Sequence, residues 1–192
     1  MNVQSTRAER AEERKVQLIQ LAMTLFAEEG WAGTSMRKLA QRARVSQGLI
    51  YHYFSSKEEL LLQVADHYSL APVLGSIVQA QEGRPVREGL LTICRELYAH
   101  LCERRDIYWI LFRETNNHPE LCARLEGTRC DFIEHLKAYL QTGIEAGELK
   151  SHNSQVLAEC LLRVLFLASL DSDPPEPLIE VFLDAILGGL LR

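Results

Sequence analysis

Apolar residues recur at helical spacing along almost the whole chain, and this periodicity limits the possible folds more than any other feature. Val16, Ile19, Met23 and Phe26 form one such stripe, and comparable stripes follow as far as the C-terminal residues. Segments that alternate apolar and polar residues between turns are absent, as are internal repeats and low-complexity tracts. The pattern therefore predicts an all-α protein of about nine helices, in which three short helices precede six mostly longer ones.

Residues that begin or end helices divide the first part of the chain. Gly30 is predicted to end the first helix in the left-handed conformation, with Trp31 in the position of a hydrophobic cap contact. Ser56 and Glu59 have the spacing of a capping box and open a fourth helix, which Pro72 ends or kinks. The first three helices are thus expected to lie before residue 56.

The 192-residue chain has a formal net charge of −5, but this charge is unevenly distributed. Residues 1–57 hold nine Lys and Arg against five Glu, whereas residues 58–192 hold twelve basic against twenty-one acidic residues. A basic N-terminal part is compatible with binding to DNA phosphate. Solvated charged helix faces produce the same asymmetry, so charge alone does not decide the function.

Composition also bears on location and on cysteine chemistry. No run of eighteen apolar residues occurs, and the charged N-terminus lacks the apolar stretch of a secretion signal. We therefore expect a cytoplasmic protein without membrane contact. The five cysteines lie within apolar helical patterns and form no CxxC pair, which favours small buried side chains over redox sensing or metal binding. No metal and no cofactor is predicted.

Two short helices joined by a short turn, at about 36–43 and 46–53, have the outline of a helix-turn-helix. A small helical bundle without a nucleic-acid role gives the same periodicity. Three linked blocks favour DNA binding: GWAGTSMRKLA at 30–40, ARVSQGLIYHYF at 43–54 and SKEEL at 56–60 resemble the signature of the TetR (tetracycline-repressor) family. The resemblance implies a helix-turn-helix DNA-binding domain of three helices at 1–55. A larger helical domain for effector binding and dimerisation is implied at 56–192.

The third helix is predicted to present one face to the major groove of DNA, with Ile50 and Phe54 in the core. Gln47 lies at its N-terminus, where the side-chain amide can pair with adenine, and Gly48 permits close approach to the bases. Leu49 or Tyr51 can contact a thymine methyl group. The family resemblance further implies phosphate contacts from Thr34, Ser35, Ser46, Tyr51, His52, Tyr53 and Lys57.

Arg44 departs from the family pattern, which commonly has Gly in the turn between the second and third helices. A non-Gly residue in the left-handed region is strained by roughly 1 kcal/mol. Arg44 is therefore either retained for a phosphate contact or accommodated by a relaxed turn, and the sequence leaves both open. Arg37, on the second helix, can reach a phosphate or a guanine.

Two strongly apolar helices are predicted at the C-terminal end, at about 154–170 and 177–191. Two such helices from each of two subunits can form a four-helix dimer interface, and a symmetric dimer suits a palindromic operator. The alternative is that these faces pack within one subunit. The predicted interface residues are Val156, Cys160, Leu161, Val164, Leu178, Val181, Phe182 and Ala185.

An effector pocket is expected among aromatic and mixed residues of the middle helices, each of which can also be an ordinary core residue. A cavity lined by apolar groups with a few polar ones is the usual form of a small-molecule site. Arg113 and His135 can orient an anionic group of a largely apolar effector. The full candidate set is Tyr98, Cys102, Tyr108, Trp109, Phe112, Arg113, Phe132, His135 and Tyr139.

These features together predict a ligand-responsive transcriptional repressor. A homodimer binds double-stranded operator DNA of palindromic sequence, and a small-molecule effector releases it. The alternatives are a family relative that activates transcription or docks onto another protein, and a small helical enzyme. The enzyme is the weakest of these, because no Gly-rich phosphate loop, metal-ligand cluster or nucleophile motif occurs in the sequence.

Overall fold

The computed structural model describes residues 3–171 and 178–190, and the regular elements of these ranges are α-helices. The all-α prediction is confirmed. The described helices are α1 (Val3–Gly33), α2 (Met36–Ala43), α3 (Gln47–Tyr53), α4 (Lys57–His67), α5 (Ala71–Gln79), α6 (Val86–Glu103), α7 (Arg105–Glu114), α8 (Pro119–Glu145), α9 (Ser154–Leu170) and α10 (Leu178–Leu187). The one helix beyond the expected nine is α5, which begins at the predicted break around Pro72, a proline in its first turn.

The chain divides into two compact units that interleave along the sequence. The first comprises the residues up to Ser69 together with Asp106–Leu125, and the second comprises Leu70–Arg105 with the described residues from Glu126 onward. The first unit therefore holds α1–α4, most of α7 and the start of α8. The functional division at residue 55 remains a prediction, since it concerns activity rather than compactness.

The core of the first unit explains how α1–α4 are held together. Its buried members include Phe26 of α1, Leu39 of α2, Ile50 of α3 and Leu60 of α4, each at most 1% exposed. Leu111 of α7 and Leu121 of α8 belong to the same cluster. Burying side chains of this size contributes roughly 1.5–3 kcal/mol each, so α7 and the start of α8 help to fix the first unit.

Local backbone chemistry ends α1 and starts α2. Gly30 has φ +70° and ψ 176°, so it has the predicted positive φ without the ψ of a left-handed helical residue, and it interrupts α1, which continues to Gly33. The Trp31 ring packs on Phe26 with 5.6 Å between centroids. Ser35 is the N-cap of α2, where its hydroxyl accepts a hydrogen bond from the Lys38 N–H at 3.2 Å. These caps fix the chain direction just before the helix-turn-helix.

Ser56 caps α4 in the predicted manner, because its hydroxyl accepts from the Glu59 N–H at 3.0 Å. The Glu59 carboxylate returns to the N–H of Ser55, at 2.6 Å, rather than to that of the cap residue. The carboxylate also lies beside the positive end of the α4 dipole. Its pKa is lowered, chiefly because the Ser55 side chain donates to it.

The second unit is organised around α6, which packs against α5, α9 and α10. Leu90, Ile93 and Leu97 lie on the buried face of α6 and are at most 1% exposed. Cys94 is buried beside them, but Cys102, Cys122, Cys130 and Cys160 are exposed. The expectation of buried cysteines is thus wrong for four of the five, because each of those four sits on the solvent side of its helix. None of the described helices is both long and apolar enough to cross a membrane.

Candidate nucleic-acid interface

Helix α3 has one buried side and one exposed side. Ile50 and the C-cap residue Phe54 are fully buried, as expected for core positions. The opposite side exposes Gln47, Gly48, Tyr51 and His52 to solvent, with Leu49 and Tyr53 half-buried at its edges. A short helix anchored on one side and polar or aromatic on the other has the form of a helix that enters the major groove of DNA.

The start of α3 is fixed by Ser46, whose hydroxyl accepts from the Leu49 N–H at 3.2 Å. This bond uses a lone pair of the exposed Ser46 oxygen and leaves its O–H for another acceptor. Gln47 follows directly and is exposed. The Gln47 amide is therefore held at the N-terminus of α3, which is the end of a recognition helix that usually contacts base edges.

Arg44 occupies the left-handed region, with φ 55° and ψ 44°, and is the one described non-Gly residue with positive φ. Its backbone N–H bonds to the Gln41 carbonyl oxygen at 3.2 Å, and the Val45 N–H bonds to the Ala40 oxygen at 3.0 Å. The turn therefore keeps the geometry of a C-cap that usually holds glycine, rather than relaxing to suit arginine. The Arg44 side chain is exposed.

The basic residues of α2 differ in whether they form ion pairs with acidic residues of α1. Lys38 forms an ion pair with Glu29, and Arg42 forms one with Glu28, so both are partly neutralised by α1. Arg37 is exposed, and neither Arg37 nor Arg44 has an ion-pair partner among the described residues. These two guanidinium groups are therefore available to an external anion.

Thr34 does not occupy the position expected of a phosphate contact. The residue is 3% exposed, and its hydroxyl lies 2.9 Å from the Gly30 carbonyl oxygen and 3.2 Å from that of Leu25. The side chain thus satisfies backbone groups at the end of α1. We correct its assignment from a phosphate contact to a residue that stabilises the turn. Ser35, by contrast, is exposed.

Lys57, at the start of α4, is engaged inside the first unit. Its ammonium donates a hydrogen bond to the Trp31 carbonyl oxygen and lies 4.0 Å from the centroid of the Trp31 ring. Burial lowers the pKa of Lys57, against the opposing effect of Glu58 and Glu114. The sequence analysis placed Lys57 on a phosphate and did not identify Trp31 as its partner. The local signal was an aromatic residue directly after Gly30, where the sequence predicted the end of the first helix.

The nine effector candidates do not form one site. Tyr108, Trp109, Phe112 and Arg113 belong to the first unit, and the other five belong to the second. Tyr108 is buried and its hydroxyl donates to the Tyr68 carbonyl oxygen at 3.2 Å, whereas Trp109 and Phe112 are about half exposed, at 47% and 52%. Arg113 donates to the Glu114 carboxylate at 3.3 Å. The α7 candidates are therefore a core residue, two surface aromatics and an ion-paired arginine.

In the second unit, His135 and Tyr139 line a cavity of 560 Å³ between α5 and α8. His135 Nδ1 lies 2.6 Å from the Asp131 carbonyl oxygen, which places a proton on Nδ1 and leaves Nε2 free. Burial raises the pKa of the Tyr139 phenol. The walls also include Pro72, Gly75, Val78 and Ala138. The cavity has the mixed apolar and polar lining that a small-molecule site requires.

The remaining effector candidates lie away from the cavity walls. Phe132 is 1% exposed and is a core residue of the second unit. Tyr98 is half-buried on α6, and burial raises its pKa to about 12. Cys102 is exposed one turn further along the same helix. Phe132 is thus corrected from a ligand contact to a core residue.

The predicted dimer residues are only partly exposed. Val156 and Val181 are 54% and 62% exposed, Cys160 and Ala185 are exposed, and Val164 and Phe182 are half-buried. Leu161 is 1% exposed and packs inside the second unit, so its assignment to the interface is wrong. The Leu178 side chain lies outside the described residues. Leu167, which was not predicted, is 61% exposed on α9.

Comparisons with known proteins agree with this interface. The family model described as bacterial regulatory proteins, tetR family, matches residues 18–64, which include α2 and α3. The helix-turn-helix-type transcriptional repressor AcnR of Corynebacterium diphtheriae is 25% identical over 93% of this chain and 79% of its own length. The helix-turn-helix-type regulator YuxN of Bacillus subtilis is 29% identical over 58% of this chain, but the match spans only 40% of YuxN.

The fold extends the similarity beyond the N-terminal region. A TetR-family regulator from Mesorhizobium loti superposes with a TM-score of 0.77 at 20% identity, over 95% of this chain and 99% of that one. These relatives are described as transcriptional regulators. On these matches, residues 18–64 are similar to the tetR family of bacterial regulatory proteins, and the fold of the chain is similar to that of solved TetR-family regulators.

Proposed function

We propose that this regulator is a ligand-responsive repressor whose homodimer binds a palindromic operator through α2 and α3. The observation that carries the proposal is the exposed side of α3, which is anchored from behind by the fully buried Ile50 and Phe54. The relative AcnR is a transcriptional repressor, and we extend that activity to this chain as part of the proposal. The site of action is the cytoplasm, where bacterial operator DNA lies.

The DNA contacts divide into those that read bases and those that position the protein. Gln47 reads a base edge from the start of α3, Gly48 lets the helix approach, and Leu49 or Tyr51 meets a thymine methyl group. Phosphate contacts supply affinity without sequence information. We assign them to Ser35, Arg37, Arg44, Ser46, Tyr51, His52, Tyr53 and Lys57.

Dimerisation in this proposal uses the exposed apolar residues of α9 and α10. Val156 and Leu167 lie on α9, and Val181 lies on α10, each more than half exposed. A contiguous patch of exposed apolar groups is typical of a surface covered by another protein, and the proposal places these three residues in one such patch. A second copy of the chain covers them in the proposed dimer and sets the spacing of two α3 helices for two half-sites.

Effector binding is assigned to the cavity between α5 and α8. Its lining combines apolar residues with polar ones, which are Ser76, Gln79, Glu82, His135, Tyr139 and Thr142. An effector that fits only one arrangement of the dimer lowers operator affinity by the difference in its binding to the two arrangements. Arg113 and His135 were both predicted to orient an anionic group of the effector. His135 lines this cavity, whereas the exposed Arg113 belongs to the other unit.

Selection of bound fragments from a genomic library, followed by gel-shift assays at moderate salt, tests the proposal. We expect specific retention of one or a few fragments that contain an inverted repeat. Gln47→Ala should relax the preference at one base-pair position in each half-site, at a cost of about 1–3 kcal/mol for the preferred base. Gln141→Ala, an exposed glutamine on α8, is the matched control and should change nothing. Absence of any specific fragment would refute the proposal.

A further inference from the structure

The Lys57 ammonium is turned toward α1 in the structure rather than toward an external anion. It donates to the Trp31 carbonyl oxygen and lies 4.0 Å from the centroid of the same residue's ring. A cation at this distance from an indole face is attracted by the ring quadrupole, and tryptophan is the strongest of the aromatic partners. One residue thus binds Lys57 through both its side chain and its backbone.

Residues far along the chain hold Trp31 in place. The His118 ring contacts the Trp31 ring edge-on, with 4.6 Å between centroids and 74° between planes. The Arg113 guanidinium lies next to Gly30: a Cβ atom built on Gly30 would be 3.8 Å from Arg113 Nη2. The segment 106–125 therefore packs on the turn that carries Trp31.

Glu114 adds a negative charge to this arrangement. The residue is 5% exposed and its carboxylate pairs with the half-exposed Arg113. Its charge also acts to raise the pKa of Lys57, although burial has the larger, opposite effect. A buried carboxylate interacts more strongly with a nearby cation than an exposed one does, because less water screens it. Trp31 thus forms an internal site for the Lys57 ammonium through its carbonyl oxygen and its ring, and Glu114 adds a favourable charge to that site.

We propose that this internal site competes with DNA phosphate for Lys57, which makes Glu114 and Trp31 positioning residues for a DNA contact. The inference rests on the proposed function, in which Lys57 binds a phosphate. To reach that phosphate, the ammonium must leave the indole face and its hydrogen bond to the carbonyl oxygen. The more tightly the internal site holds the ammonium, the weaker the binding of the operator becomes. Trp31 and Glu114, which set that strength, both lie outside α2 and α3.

A double-mutant cycle on the full chain tests the competition. Glu114→Gln keeps the shape of the side chain and removes its charge, and Lys57→Met keeps most of the lysine stem and removes the ammonium. Affinity is measured for one short duplex of fixed arbitrary sequence at low salt, and for any operator fragment that the wild type selects. We expect Glu114→Gln to bind both DNAs about two- to fivefold more tightly, and to lose that gain in the Lys57→Met background.

Two further variants separate this effect from general ones. Glu120→Gln removes an exposed carboxylate at the start of α8 and should leave affinity within error of the wild type. Trp31→Phe keeps an aromatic contact for Phe26 but weakens the attraction for the ammonium, so it should also tighten binding, by about twofold. Thermal melts of every variant confirm that the chain remains folded.

The results distinguish failure of the proposed competition for Lys57 from failure of the repressor proposal. If the wild type binds DNA and Glu114→Gln binds it equally or more weakly, the competition is refuted while the repressor proposal stands. An equal gain in the Lys57→Met background refutes it too, because that gain reflects only the removal of a negative charge near DNA. If the wild type binds neither DNA, both proposals fail.

Discussion

Replacing Arg44 by glycine tests how much conformational strain the helix-turn-helix retains. At φ 55° and ψ 44° an L-residue costs roughly 1–2 kcal/mol, whereas glycine loses about 0.5–1 kcal/mol through greater backbone entropy in the unfolded chain. The backbone bonds from this residue to α2 are available to glycine without change. We therefore expect Arg44→Gly to raise the free energy of unfolding by about 0.5–1 kcal/mol.

The same substitution removes a charge from the proposed DNA surface. If Arg44 binds one phosphate, its loss weakens binding to all sequences and reduces the slope of log K against log salt by about 0.9. Arg44→Gly should therefore be more stable and bind DNA less well. Thermal or urea unfolding measures the first effect, and a salt titration of DNA affinity measures the second.

Two matched variants separate strain from charge at this position. Arg44→Ala keeps the strain but loses the charge, so it should share the DNA defect of Arg44→Gly without its stability gain. Arg44→Lys keeps both, and should resemble the wild type in stability and in salt slope. Equal stability of the glycine and alanine variants would show that the left-handed turn costs nothing. An unchanged salt slope in both would exclude the phosphate contact as the reason for arginine.

Three further predictions follow from exposure, charge and burial. Lys57→Ala should weaken binding to every DNA sequence by a similar factor and reduce the salt slope by about one; a loss confined to the operator would contradict this. Val181→Glu should give folded monomers with poor operator affinity, as measured by sedimentation and gel shift, and a dimer of unchanged strength would exclude α10 from the interface. Burial raises the pKa of the Cys94 thiol to about 12, so at pH 8 a thiol reagent should modify the four exposed cysteines rapidly and Cys94 only after unfolding.

Helix boundaries could be predicted from the sequence because the forces that set them are local. Ser46 and Ser56 each cap a helix as expected, by accepting from a backbone N–H three residues along the chain. Gly30 has the expected positive φ, although α1 continues to Gly33. The overall class follows for the same reason, since helical periodicity is a property of neighbouring residues. Arg44 is different, because the sequence left a relaxed turn open and only the structure shows that this residue has φ 55°.

Burial could not be predicted as well, because it depends on the elements that pack against each face. Helix α9 is apolar on more than one side, and the sequence does not say which side meets α6. Leu161 turns inward and Leu167 outward, so the predicted interface included the first and omitted the second. Thr34 was assigned to phosphate for a similar reason: its hydroxyl resembles that of Ser35 in type, and only the fold shows which of the two is buried.

Lys57 illustrates the largest gap between sequence and structure, because its contact residue, Trp31, is far from it in the sequence. Its position at the start of α4 predicted an external anion, and that inference used only the residues beside it. In the structure, the Lys57 ammonium instead contacts the ring and the carbonyl oxygen of Trp31. The Trp31 ring is contacted in turn by His118, which is distant from it in the sequence. A phosphate contact by Lys57 therefore requires an exchange of partners. The affinity of the DNA surface then depends on residues 106–125 as well as on the helices that touch DNA.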